Sequence, residues 1–104
     1  MTTTTIDGRM VHVDEEGFLT EPAEWDEALA GSLAGLVDIE LTERHWTILH
    51  FLREDHARTG ETPTLRRVGT SLQIPVKELF QLFPVKPAKK MSYVAGLPKP
   101  RGCV

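Results

Sequence analysis

The chain has 104 residues, 40% of them apolar, which suits one domain with a small core. Its formal net charge of -3, from 12 basic and 15 acidic side chains, excludes a generally nucleic-acid-binding surface. Cys103 is the only cysteine, which excludes an internal disulfide and a cysteine-rich metal site and fits a reducing cytosol.

In chain order, Thr3–Ile6 and Arg9–Val13 are β-prone, and Asp7-Gly8 between them signals a type I′ hairpin. A turn over Asp14–Gly17 leads to Phe18 and Leu19. Thr20 is expected to cap a helix with Pro22 in its first turn, running to about Ala34, with Trp25, Ala28, Leu29, Leu33 and Leu36 at helical spacing forming one buried stripe. Thr42 caps the longest helix, Glu43–Arg58, which Gly60 stops. Trp46, Ile48, Leu49, Phe51 and Leu52 give that helix a broad apolar face, as expected at the centre of a bundle. A short helix runs from Thr64 to about Leu72 and another from Pro75 to about Phe83. Pro84 and Pro87 break the second, and Ala88–Ala95 adds a last turn or two. The expected fold is mainly α: a small orthogonal helical bundle, residues 1–95, with an N-terminal β-hairpin and a flexible C-terminal arm, residues 96–104. Met1–Thr5 has neither a basic nor an apolar leader region, and no apolar run reaches the length of a membrane span, so a cytoplasmic protein is expected.

Most polar groups read as structural. His45 and His56 lie on the apolar face of the long helix about three turns apart, too far to share a metal. His12 and His50 read as surface residues, Asp14-Glu15-Glu16 as a solvated turn, and Glu54 and Asp55 as the polar side of their helix. No phosphate loop, catalytic triad or CxxC is present, and neither a metal nor a cofactor is expected. The helix pair 64–83 has helix-turn-helix proportions, with Arg66 and Arg67 after the cap. A non-catalytic regulatory or DNA-binding module using this pair is therefore the alternative reading. Its second helix offers Lys77, Glu78 and Gln81, few groups for reading base edges, which argues against nucleic acid as the partner.

The end of the chain is distinctive. In Gly96-Leu97-Pro98-Lys99-Pro100-Arg101-Gly102-Cys103-Val104 two prolines favour an extended path and two glycines bracket them. The segment reads as a semi-rigid arm, with little packing from Gly96 onward, reaching about 25 Å. It carries a thiol next to its tip. Lys99 and Arg101 favour the thiolate, and the terminal carboxylate opposes them. A thiolate attacks a persulfide or disulfide sulfur and carries that sulfur away. The opposing view is a tail with an incidental cysteine. From Lys77 to Arg101, six basic residues face only Glu78, an asymmetry that suits an acidic partner cleft. Arg66, Lys89 and Lys90 are candidate partner contacts.

Leu82-Phe83-Pro84, Pro87-Ala88-Lys89, Ala95–Pro100 and Gly102-Cys103-Val104 resemble the C-terminal signature of the DsrC/TusE family, which includes the gamma subunit of dissimilatory sulfite reductase. Leu41–Trp46 with Phe51-Leu52-Arg53 resemble its central helix, and Gly17-Phe18-Leu19 with Trp25 its N-terminal portion. The resemblance implies a persulfide carrier, a carrier-type sulfurtransferase, with Cys103 matching the penultimate cysteine that bears the sulfur. It also implies partners: a donor sulfurtransferase complex and an acceptor such as a tRNA thiouridylase, or a component of sulfur oxidation. Members acting with the sulfite reductase carry a second cysteine where this chain has Ser92, and serine cannot join a disulfide. That departure argues against the reductase redox cycle. The link between Leu72 and Pro75 is also shorter than usual in the family, which leaves a divergent or regulatory paralogue open.

Overall fold

A computed structural model describes residues 2–100. Strands β1 (Thr2–Ile6) and β2 (Arg9–Val13) pair antiparallel, Ile6 opposite Arg9 and Thr2 opposite Val13. Asp7 and Gly8 both take positive φ, 49° and 79°, as the expected I′ turn requires. Period-two alternation puts Val11 and Val13 inward and Met10 outward. Leu19 forms an antiparallel bridge to Val13. The Asp14 carboxylate, accepting the amides of Glu16 and Phe18, closes the turn between them.

The next helix starts later than expected. Pro22–Glu24 forms only a 3-10 turn, and α1 runs Glu27–Leu36. Trp25 is extended (φ -81°, ψ 142°), and Asp26 rather than Thr20 is the cap, its carboxylate accepting the Leu29 amide at 2.8 Å. The Thr20 hydroxyl is buried and has no hydrogen-bond partner among the described residues.

The remaining helices are α2 (Glu43–Thr59), α3 (Leu65–Leu72), α4 (Val76–Leu82) and α5 (Pro87–Val94). Gly60 ends α2 at φ 80°. His45 closes the start of α2: its Nδ1 accepts the Thr42 amide at 3.0 Å, which places the ring proton on Nε2 to donate to Leu82 O at 2.8 Å. The ring also meets Phe83 edge-on at 5.0 Å, so its role is structural, as its place on the apolar face suggested.

The inward faces of the helices form one core around Ile48, Leu49, Leu52, Val68, Leu79, Phe83, Met91 and Leu97. A second cluster seats the hairpin on α1 through Ile6, Val11, Val13, Leu19, Leu29 and Leu33. Trp25 and Tyr93 touch both clusters. A mainly α bundle with an N-terminal hairpin is what the sequence pattern called for.

Asp55 departs from its expected place on the polar side of α2: it is only 3% exposed. Arg67 of α3 grips it through Nε to Oδ2 at 2.8 Å and Nη2 to Oδ1 at 2.7 Å, and Arg58 adds a further bond. These bonds, Arg67 first, hold its carboxyl below the usual range against the opposing effect of burial. The pair ties α3 to α2, because a buried carboxylate must be both paired and hydrogen-bonded.

Candidate functional site

The site begins where α5 ends. Gly96 takes φ +69°, the left-handed conformation that terminates a helix. Its amide donates to Tyr93 O at 3.1 Å, and the Leu97 amide reaches back to Ser92 O at 3.1 Å. This double closure is a Schellman motif, and its apolar contact comes from Leu97, which enters the core at 1% exposure.

Two carbonyls remain, and residues distant in sequence satisfy them. The Trp25 indole Nε1 donates to Val94 O at 2.8 Å. Arg53 Nη1 donates to Ala95 O at 2.9 Å, while its Nη2 donates to Pro22 O at 2.8 Å. The guanidinium lies 4.3 Å from the centre of the Trp25 ring, a cation–π contact. Burial lowers the Arg53 pKa from its ordinary value, but arginine stays charged at any physiological pH. Gly96 sits directly on Trp25, and an added Cβ would meet Trp25 Cδ1 at 2.4 Å.

From Gly96 to Pro100 the chain stays on the body. Thr62 Oγ1 donates to Pro98 O at 2.8 Å, Lys99 Nζ reaches Glu16 Oε1 at 3.3 Å, and Pro100 is buried. A cavity of about 340 Å³ opens beside this stretch, between Pro98 and Lys99 on one side and His56, Gly60, Thr62 and Thr64 on the other. The expectation of little packing from Gly96 onward therefore fails for residues 96–100. Proline and glycine predict weak local structure, but side chains from four other parts of the fold supply the contacts. Arg101, Gly102 and Cys103 lie outside the described residues.

The other candidate residues lie elsewhere. Lys89 and Lys90 border a cavity of about 300 Å³ with Glu16, Phe18 and Tyr93. Lys90 Nζ also donates to Pro84 O, which holds the 84–86 turn, where Val85 and Lys86 both take positive φ. Arg66 is exposed on α3. Ser92 is fully buried, its hydroxyl donating to Ala88 O at 2.8 Å. In the α3–α4 pair, Arg67 is committed to Asp55 and Glu78 to Arg44, while α4 shows solvent the apolar Val76 and Phe80. That surface offers little to a phosphate backbone, and the DNA-binding alternative finds no support. Sequence reasoning placed Trp25 and Arg53 in motifs but gave them no part at the arm. The only signal was the concentration of small and apolar residues in Val94–Leu97.

A helical body with a hairpin, ending in a segment clamped at its root and followed by a lone thiol, defines a small carrier-like module. The family model described as "DsrC like protein" matches residues 5–104. Sulfurtransferase TusE of Sodalis glossinidius is 36% identical over 104 residues, covering 93% of this chain and 96% of that one. The solution structure of Allochromatium vinosum DsrC superposes with a TM-score of 0.83 at 40% identity, covering 98% of this chain and 97% of that one. The crystal structure of the oxidized gamma-subunit of the dissimilatory sulfite reductase (DsrC) from Archaeoglobus fulgidus gives 0.83 at 37% identity, covering 99% and 100%. The chain belongs to the DsrC-like family. No helix among the described residues is long and apolar enough to cross a membrane.

Proposed function

We propose that this protein is a cytoplasmic sulfur-relay carrier whose Cys103 accepts a sulfane sulfur and passes it to an acceptor enzyme. The observation that carries the reading is the only thiol of the chain, placed just beyond a root anchored to the body, in a chain similar to a protein called a sulfurtransferase. The Cys103 thiolate attacks the outer sulfur of a donor persulfide. A new S–S bond forms as the donor's S–S bond breaks, the donor leaves as a thiolate, and no net oxidation occurs. An acceptor thiolate repeats the step and regenerates Cys103.

The body, residues 1–95, docks, and the arm, residues 96–104, presents the sulfur. A donor sulfurtransferase complex and an acceptor such as a tRNA 2-thiouridylase fit this chemistry. Arg66, Lys89, Lys90, Lys99 and Arg101 would meet an acidic partner surface, which speeds encounter more than it tightens the complex. A sulfite-reductase cycle that needs a second thiol does not fit, because Ser92 stands there and is sealed in the core. Intact mass after incubation with glutathione persulfide tests the reading. The wild-type chain should gain one sulfur and Cys103→Ser none. Equal loading of the variant would overturn it.

A further inference from the structure

We infer that Trp25 and Arg53 are positioning residues for sulfur delivery: together they fix where, and in which direction, the arm leaves the body. The inference rests on the carrier reading, but its geometry stands alone. The last two helical carbonyls, Val94 O and Ala95 O, are taken by the Trp25 indole and the Arg53 guanidinium, at 2.8 and 2.9 Å. The same guanidinium donates to Pro22 O and stacks on Trp25, so one side chain joins α2, the Pro22–Trp25 segment and the end of α5. The rigid fork of arginine suits such a junction, because its N–H donors point outward in the guanidinium plane and leave the face of the group free to lie over the ring. An apolar residue would fill the space as well and avoid desolvating a cation, so packing alone does not account for arginine here. Gly96, pressed on the Trp25 ring with no room for a Cβ, sets the exit angle.

The consequence for delivery is one of tether length. With the root held through Pro100, Cys103 lies within about 10 Å of a fixed point, since three residues span about 3.3–3.6 Å each. With the root released at Ala95, the reach grows to about 25 Å, and the volume open to the thiol grows on the order of tenfold. Its effective concentration at a docked acceptor falls in proportion. The clamp thus converts docking of the body into placement of the sulfur.

Because Cys103 is the sole thiol, a nitroxide placed on it reports the position of the arm in the full-length, otherwise native chain. In the wild type, paramagnetic broadening should form one patch around Glu16 and Thr62, the partners of Lys99 and Pro98. Arg53→Gln should weaken broadening there at least twofold and spread it over other faces. It should also lower amide-exchange protection at Leu97 at least tenfold, with Ile48 and Leu49 unchanged. Trp25→Phe, which removes the indole donor and trims the ring system but keeps an aromatic face for Arg53, should shift both readings in the same direction and serves if Arg53→Gln fails to fold. Ile48→Val, a core change away from the clamp, is the control for general loosening. A wild-type pattern in both clamp variants, or the same shift in Ile48→Val, would overturn the inference. No sulfur moves in this measurement, so a chain that carries none would still show the clamp, and an unclamped chain would still load sulfur.

Discussion

Replacing Gly96 by alanine should damage this protein more than any other single-methyl addition at a helix end. Two costs add. An L-residue in the left-handed region costs about 1–2 kcal/mol, and Gly96 sits at φ +69°. The new Cβ would lie 2.4, 2.8 and 2.9 Å from Trp25 Cδ1, Cγ and Cβ. Trp25 cannot retreat, because its indole is bonded to Val94 O and stacked under Arg53. Forcing a methyl into such a site costs about 1–3 kcal/mol. Reduced freedom of the unfolded chain returns about 0.4–1 kcal/mol. The net loss is roughly 1–4.5 kcal/mol, each kcal/mol being worth about 4–8 °C in Tm for a domain of this size. Gly60→Ala is the internal comparison. Gly60 has φ +80° but open space around its missing Cβ, so it bears only the conformational cost. Urea unfolding followed by circular dichroism should therefore rank wild type above Gly60→Ala and Gly60→Ala above Gly96→Ala. Gly96→Ala within about 0.5 kcal/mol of Gly60→Ala would refute the claim that Trp25 is immovable beneath the arm.

Three further outcomes follow from named contacts. Arg67→Gln should cost about 1.5–3 kcal/mol at neutral pH, because it removes two charge-assisted bonds to a buried carboxylate. The folded-state pKa of Asp55 lies below its unfolded value of about 3.9, so its contribution is present above that value and is lost as pH falls through the lower folded one. The gap between wild type and Arg67→Gln in urea midpoint should accordingly narrow below about pH 4, and a gap constant down to pH 2 would assign the loss to packing. Ser92→Cys should fold, and native alkylation with iodoacetamide should modify Cys103 alone, since position 92 is fully buried. Two modified thiols per folded chain would mean that α5 opens readily. His45→Ala should cost about 2–3 kcal/mol by urea unfolding, because it strips Leu82 O and the Thr42 amide of their partner and leaves a gap beside Phe83.

The helices were legible wherever local chemistry sets the boundary. Thr42 and Gly60 bracket α2, Thr64 caps α3 through the Arg67 amide at 3.2 Å, and Asp7-Gly8 turns the hairpin as its backbone preference demands. Errors arose where a second signal competed with the first. Pro22 marks a helical start, but Asp26, four residues on, is the stronger cap and takes α1. Asp55 reads as polar surface by composition, and only Arg67 approaching from α3 makes its burial tolerable. The arm root was misjudged for a related reason. Gly96 and Leu97 close α5 through local bonds to Tyr93 O and Ser92 O, yet the carbonyls of Val94, Ala95 and Pro98 are taken by Trp25, Arg53 and Thr62, none of them a near neighbour in sequence. The lone thiol of Cys103 was plain in the sequence, whereas the clamp that holds its tether is a tertiary property with no sequence periodicity.

The central claim is that a sulfur atom enters and leaves through Cys103. The direct measurement follows that atom: the purified chain is loaded by a cysteine desulfurase fed radiolabelled cysteine, re-isolated, digested and chased with dithiothreitol. The account predicts that all label resides in the C-terminal peptide containing Cys103, is absent from Cys103→Ser and is fully released by the thiol. Label on any other peptide, or label at Cys103 that resists the thiol, would contradict it.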